Sequence, residues 1–241
     1  CAVEQNDVPV LLLYICEPSL VNDPHYSERH WRFVYQSIQD LNQQLQRSNT
    51  QILTLYGEVT DVLAQLQATC TVRNLYSYQE IGLNITFNRD HAVKKTCKKL
   101  GIHWREFPYS VVTRGLNHRK HWAKHWEQVI SAPCDDANLT SIPFLALGAI
   151  NELAEKVITQ SQEQRRSTAL WEPAVSLRDA HPLFQAGGEK RAWHTLQHFF
   201  IDRGKNYQKH ISRPHDARRS CSRISPYLAW GNVSIRQVYK K

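Results

Sequence analysis

The chain has no methionine among its 241 residues, not even at the first position. A natural reading frame opens on methionine, so the sequence reads as a segment of a longer protein. It also has no apolar stretch near the about 18 residues that a membrane-spanning helix requires. The longest candidate, Val8 to Ile15, has the length of a strand. No basic region followed by a long apolar one opens the chain, so nothing marks a secretory signal and a cytoplasmic protein is expected. The six cysteines, at positions 1, 16, 70, 97, 134 and 221, form no C-x-x-C pair and have no histidine at zinc-ligand spacing. In a chain this large they read as buried or incidental thiols, neither a disulfide framework nor a metal site. Neither a G-x-G-x-x-G fingerprint nor a P-loop occurs, which removes support for an NAD site or an NTPase site.

The charge that is present is unevenly placed. Residues 186–241 hold twelve lysines and arginines against three carboxylates, a balance of +9. Residues 1–185 hold eighteen against nineteen, a balance of −1. A basic C-terminal quarter suits a part that meets a polyanion such as a nucleotide pyrophosphate or DNA; a solvated basic face is the plainer reading.

The first 130 residues alternate short apolar runs with amphipathic stretches. Val8–Ile15 is a continuous apolar run, the pattern of a strand buried on both faces. Trp31, Val34, Ile38, Leu41 and Leu45 then fall at spacings of three and four, which predicts a helix over Ser27–Arg47. Further strands are predicted at Gln51–Tyr56, Val72–Tyr78 and His103–Phe107. Helices are predicted at Asp61–Ala68, at Arg89–Leu100 with Gly101 as its stop, and at His118–Ile130. Such alternation implies an α/β fold with a Rossmann-like parallel sheet, whose ligands bind beyond the carboxyl ends of the strands. Residues 131–186 read as a connector carrying one helix near Ala149–Ser161. From Gly187 the pattern is helical only: Glu189–Asp202 places Ala192, Trp193, Leu196, Phe199 and Phe200 on one face. Ser225-Pro226 opens another helix that Gly231 ends, and Ser234 caps a third. Three regions follow: an α/β domain over 1–130, a linker over 131–186, and the start of an all-α domain over 187–241.

Ser222 and Ser225 offer two hydroxyls just before a predicted helix start, with Arg218, Arg219 and Arg223 in the same stretch. That combination suits a phosphate, although ordinary capping plus surface arginines would leave the same residues. Trp122 and Trp126, four apart, read as packing on one helix face rather than as an electron-transfer pair.

Gln185-Ala-Gly-Gly-Glu189, with Ala192, Leu196 and Phe199, resembles the G-G-E-x-x-A-x-x-x-L-x-x-F opening of the FAD-binding domain of photolyases and cryptochromes. Tyr207, followed by Cys221-Ser-Arg-Ile-Ser-Pro-Tyr-Leu-Ala-Trp-Gly-Asn-Val-Ser-Ile-Arg236, is similar to that family's Y…T-S-x-L-S-P-x-L-x-x-G-x-x-S-x-R, in a variant like the bacterial class III and plant-cryptochrome-like branch. In the family these positions hold FAD, so the resemblance implies flavin contacts at Tyr207, Cys221, Ser222, Arg223, Ile224 and Ser225. Cys221 stands where most members have threonine and Ile224 where leucine is usual, and a thiol is the weaker hydrogen-bond partner. In the α/β region, Tyr78-Gln-Glu-Ile-Gly82, Phe87-Asn-Arg-Asp90, Trp104-Arg-Glu-Phe107 and Val112–Arg114 resemble the family's antenna domain. Glu80 and Asn84 fall where an antenna chromophore, methenyltetrahydrofolate or a deazaflavin, is contacted; loop solvation or capping would also explain them. The likeness spans the whole chain and is most specific over 185–236. The family's opening strand would precede Cys1, and most of the helical domain would follow Lys241.

The resemblance implies a deoxyribodipyrimidine photo-lyase: light-driven repair of cyclobutane pyrimidine dimers in UV-damaged DNA by electron transfer from reduced FAD. The implied full-length protein is a monomer away from membranes, and this stretch by itself is not expected to repair DNA. A cryptochrome-type blue-light receptor, or a nucleotide-binding α/β module without photochemistry, are the alternatives.

Overall fold

The apolar run that opens the chain forms a strand at its far end, Leu13–Cys16 (β1), preceded by a single parallel bridge from Val10 to Phe144. These features come from a computed structural model that describes residues 8–136 and 138–241; Cys1 and the opening stretch read above for a signal lie outside the described residues. The described residues group into two compact units, Cys1–Ser27 with Leu45–Glu172, and Glu28–Gln44 with Pro173–Lys241.

The first unit contains, after β1, the short helix Pro18–Val21 (α1). The second unit takes the long helix that follows, Glu28–Leu45 (α2). The first unit then continues with Leu53–Tyr56 (β2), Val59–Thr69 (α3), Asn74–Tyr78 (β3), Asn84–Leu100 (α4) and His103–Phe107 (β4). Trp122–Ser131 (α5), Leu147–Glu163 (α6) and Ala169–Leu170 (β5) complete it. β1 and β2 pair in parallel with Leu13 opposite Leu53, and β5 joins the other edge of β2 in antiparallel. β3 and β4 form a second parallel pair with Asn74 opposite His103. The parallel α/β architecture expected from the alternation is therefore present, as two sheets rather than one continuous ladder among the described residues.

Helix α3 explains why the two sheets belong to one unit. Val62 and Leu66 pack with Leu53 and Leu55 of β2 and with Ile150, Ala154 and Val157 of α6. Leu63, on the neighbouring face, packs instead with Val93 and Cys97 of α4 and with Ile102. All of these side chains are buried, and each fully buried aliphatic contributes about 1.5–3 kcal/mol, so α3 is the main apolar tie between the sheets.

In the second unit α2 is followed by Val175–Arg178 (α7), Glu189–Ile201 (α8), Tyr207–His210 (α9), Pro214–Ser220 (α10), Ser225–Ala229 (α11) and Ile235–Tyr239 (α12). Its core is Phe33 of α2 against Ala192, Tyr227 and Val233. Ser234 caps α12 as the sequence predicts: its hydroxyl accepts from Gln237 N at 3.1 Å while Gln237 Oε1 accepts from Ser234 N at 2.8 Å. No helix among the described residues is long and apolar enough to cross a membrane.

Three boundaries differ from expectation for physical reasons. α4 begins at Asn84, five residues before Arg89, because burial of Thr86 recruits a stretch whose β-branched residues do not favour a helix on their own. α5 begins at Trp122, after a turn at Lys120–His121 in which Trp122 N donates to the Arg119 carbonyl at 3.1 Å, and Trp122 is 42% exposed. Packing therefore does not account for Trp122. α11 takes Ser225 as its first helical residue rather than its cap, because Ile224 already has helical dihedrals and its carbonyl accepts from Leu228 N at 3.1 Å.

Candidate flavin-phosphate and cavity sites

The G-G-E stretch is built by close approach of backbone to backbone. Gly187 donates to Gln36 Oε1 at 3.0 Å, and a Cβ at this position would overlap the Phe33 carbonyl. Gly188 follows with φ of 112°, a conformation that L side chains rarely adopt. Asp40 of α2 then caps α8 from a distance: its Oδ2 accepts from Glu189 N at 2.9 Å. Beside this junction, Tyr227 donates its hydroxyl to the Ala186 carbonyl at 2.9 Å. Tyr227→Phe is expected to cost about 1 kcal/mol, read as a shift in the urea midpoint, because it leaves a part-buried carbonyl unpaired.

These contacts position the loop after α10. Gln185 Nε2 donates to the Arg223 carbonyl at 2.7 Å, and Arg223 sits in the left-handed region with φ of 56°. Arg203 Nη2 donates to the carbonyls of Thr195 at 3.2 Å and Ser222 at 3.0 Å, so it ties α8 to the same loop. His210 Nδ1 lies 2.6 Å from Ser220 Oγ, linking α9 to α10, and Tyr207 at the start of α9 meets Phe199 edge-on. The structure thus places Cys221, Ser222, Arg223 and Ile224 in one loop that runs into Ser225 at the start of α11, with Tyr207 at the start of α9; Tyr207 is 37% exposed. Arg223 is pushed below the usual guanidinium range, first by burial and then by the positive charges of Arg218 and Arg203. None of these three arginines is in an ion pair among the described residues, and the buried Arg203 Nε has no hydrogen-bond partner there. A cluster of cations without counter-charge among the described residues, beside two hydroxyls, suits an anion. α11 is only five residues long, so this argument rests on the arginines and not on a helix N-terminus.

The α/β unit holds a cavity of about 600 Å³ beyond the carboxyl ends of β3 and β4. Both Glu80 and Asn84 line it, together with Phe87, Trp104 and Val112. Glu80 is partly committed: Oε1 accepts from Ile81 N at 2.9 Å and from Gly82 N, and Oε2 pairs with Arg89 Nη2 at 3.4 Å. Asn84 is the first residue of α4. Arg89 Nη1 also pairs with Glu17 Oε2 at 3.3 Å and its Nη2 with Asp90 Oδ1 at 3.0 Å. Arg114 continues the chain of charges, with Asp90 Oδ2 at 3.4 Å, Glu106 Oε1 at 3.2 Å, and its Nε donating to the Glu80 carbonyl at 2.7 Å. Phe87 is 44% exposed, with His91 edge-on to its ring and the Arg114 guanidinium 5.8 Å from its centroid. Apolar walls with fixed polar groups suit a planar organic ligand.

Sequence reasoning did not single out Arg203, Arg114 or Asp90. The latter two lie inside motifs quoted only for resemblance, whereas Arg203 lies outside any motif. Three thiols are made less reactive by their surroundings: burial pushes Cys16 up to about 12 and raises Cys70 and Cys97 as well. No group of three or more histidine, cysteine, aspartate or glutamate side chains among the described residues is placed to hold a metal ion.

The fold is thus an α/β unit with a ligand-sized cavity at its strand ends, together with helices around an arginine-rich loop. A family profile for DNA photolyase matches residues 1–132, more than half of the chain, and the chain belongs to that family. Among its relatives it is 23% identical to cryptochrome-2 of Gallus gallus over 94% of this chain and 40% of the relative. It is 24% identical to cryptochrome-1 of Spalax judaei over 95% of this chain and 40% of the relative. Among solved structures it resembles a Sulfolobus tokodaii photolyase with two FAD molecules (TM-score 0.65, 19% identity, 99% of this chain and 49% of the other). A Synechocystis cryptochrome has a TM-score of 0.66 at 18% identity, over 97% of this chain and 49% of the other. A class III photolyase of Agrobacterium tumefaciens has a TM-score of 0.65 at 17% identity, over 97% of this chain and 47% of the other. At these identities the structures establish the fold alone. The chain spans at most about half the length of these relatives.

Proposed function

We propose that the full-length protein splits cyclobutane pyrimidine dimers in UV-damaged DNA, under near-UV or blue light, with reduced FAD bound by the helical unit. The observation that carries the proposal is the cluster of Arg203, Arg218 and Arg223, uncompensated among the described residues, around a loop whose sequence matches the family's flavin motif. An orphaned buried Arg203 Nε and two partly exposed serine hydroxyls fit the pyrophosphate end of the cofactor. When bound, the flavin supplies the photoexcited electron donor. The residues of this chain bind and orient it. Arg203 and Gln185 fix the loop by its carbonyls, Ser222 and Ser225 donate to phosphate oxygens, Arg223 supplies charge in a partly desolvated setting, and Tyr207 flanks the site. Cys221 and Ile224 contribute loop shape and apolar contact. The cavity lined by Glu80 and Asn84 takes the antenna chromophore, methenyltetrahydrofolate or a deazaflavin, and the division at 1–130, 131–186 and 187–241 follows the domains of such an enzyme. The site of action is the cytoplasm and the protein works as a monomer.

The test is illumination of the full-length, flavin-loaded protein with dimer-containing DNA, against a dark control. Loss of dimers only in the light is expected. The second reading, a cryptochrome-type photoreceptor, is favoured by the cryptochrome relatives and would appear as light-driven flavin reduction with the dimers intact. A protein that binds no flavin would sink both readings and leave a nucleotide-binding module without photochemistry. Arg203→Met is expected to weaken flavin binding by roughly tenfold or more, since a hydrogen bond from a charged donor contributes about 1.5–3 kcal/mol. Titration of flavin absorbance, with circular dichroism as the folding control, checks it.

A further inference from the structure

A second cationic surface lies on the α/β unit, well apart in sequence from the arginine loop. Between His91 and His125 the chain carries nine lysines and arginines against a single carboxylate, Glu106, a balance of +8. Glu106 is already paired with Arg114, so eight cations remain without a partner carboxylate in the stretch. Lys94, Lys95, Lys98 and Lys99 are all exposed on α4, and none is in an ion pair among the described residues. Lys94 and Lys98, and likewise Lys95 and Lys99, are four apart and therefore repel along the helix. Folding alone gives no reason to keep such a double stripe. The two stretches meet at the cavity, which His91 and Lys94 of α4 line together with Arg114 and Gly115. From Gly115 the chain runs through exposed residues to Arg119, Lys120 and Lys124. Asp90, just before the stretch, is already paired with Arg89 and Arg114, and Glu127 is exposed one turn beyond Lys124 on α5.

The chemistry of the face selects its partner. An anionic lipid surface needs apolar side chains beside the cations to enter the acyl boundary. Along α4, between His91 and Lys99, no apolar residue is exposed, and in the 116–124 segment the only large exposed apolar side chains are Leu116 and Trp122, six residues apart, too sparse to enter an acyl boundary. A solvated polyanion requires only the cations. We propose that this face of the α/β unit, α4 with the 116–124 segment, binds the phosphodiester backbone of nucleic acid without sequence preference, through contacts separate from the flavin site.

The test compares the full-length protein with its Lys95→Gln, Lys98→Gln, Lys99→Gln, Lys124→Gln variant. Lys94 is kept because it lines the cavity. Both proteins are titrated against a short labelled duplex, a single strand and phosphatidylserine vesicles over a range of salt. Loss of four phosphate contacts should lower the slope of log K against log salt by about 3.6 for the duplex and about 2.8 for the single strand, and weaken nucleic-acid binding at least tenfold at low salt. Flavin affinity and circular dichroism should stay unchanged, which separates this proposal from the flavin reading. Equal affinity and slope in the two proteins would overturn it, as would a loss confined to the vesicles.

Discussion

Gly187→Ala is expected to destabilise the helical unit by about 3 kcal/mol and to weaken flavin binding with it. The added Cβ would overlap the Phe33 carbonyl oxygen and crowd Ser37 Oγ. The first is backbone inside a helix and cannot swing away. The second already donates to that same carbonyl at 2.8 Å. Relief requires Gly187 to withdraw from α2, which breaks its bond to Gln36 and pulls the N-terminus of α8 off Asp40. The displacement cannot stay local. Ala186 accepts from Tyr227, and Gln185 donates to the Arg223 carbonyl, so the motion is passed into the arginine loop. Urea denaturation reads the stability and flavin titration reads the site. Gly148→Ala in α6 is the control: a Cβ there meets nothing within 4 Å, and better helix propensity should leave stability equal or slightly higher. Equal midpoints for the two variants would refute the close-approach account of the G-G-E stretch.

The G-G-E geometry also shows what could and could not be read from the chain. The motif was legible because its glycines recur with a fixed spacing to Ala192 and Leu196, both buried on one face of α8. The partner on the other side, α2, was legible only as an amphipathic helix; nothing in its pattern says that Phe33, Gln36 and Asp40 receive residues 187–190. β4, at His103–Phe107, is where the alternation of strands and helices along the chain places it. β5, two residues long, exists only through its pairing with β2, a tertiary event with no local signature. The same holds for the break between the two sheets: alternation predicts parallel strands, not which edges meet. The site residues in the 221–225 loop came from motif resemblance, whereas Arg203 acts through a turn that brings it back to Ser222, and no spacing announces that. The cationic stretch from His91 to His125 was countable from the start. It was hidden by averaging over residues 1–185, whose acidic positions elsewhere return the sum to −1.

Arg89→Met tests the charge network that joins the two sheets at their carboxyl ends. Glu17 follows β1 and Glu80 follows β3, and Arg89 pairs with both, although those strands share no ladder. The Glu17 side chain is only 4% exposed. Burial raises its carboxyl above the usual carboxylate range, and Arg89 is the largest influence that pulls it back, followed by the bond from Val59 N at 3.2 Å. Removing Arg89 leaves a buried carboxylate without its cation. The cost is roughly 3 kcal/mol, the low end for a broken buried pair, because the Arg89 side chain is 29% exposed. The pH dependence has a definite sign. A carboxyl raised in the folded state favours folding when protonated, so that contribution is complete below its unfolded value and is lost as pH rises through the folded one. Without Arg89 the folded value rises further. The deficit of Arg89→Met relative to the unaltered protein should therefore widen from the carboxylate range upward and narrow in acid. Glu17→Gln removes the charge while keeping an acceptor for Val59 N, so it should restore most of the loss in the Arg89→Met background. Urea midpoints of the four proteins across pH decide it. A deficit that is flat with pH, or one that Glu17→Gln fails to relieve, would mean that Arg89 acts by packing.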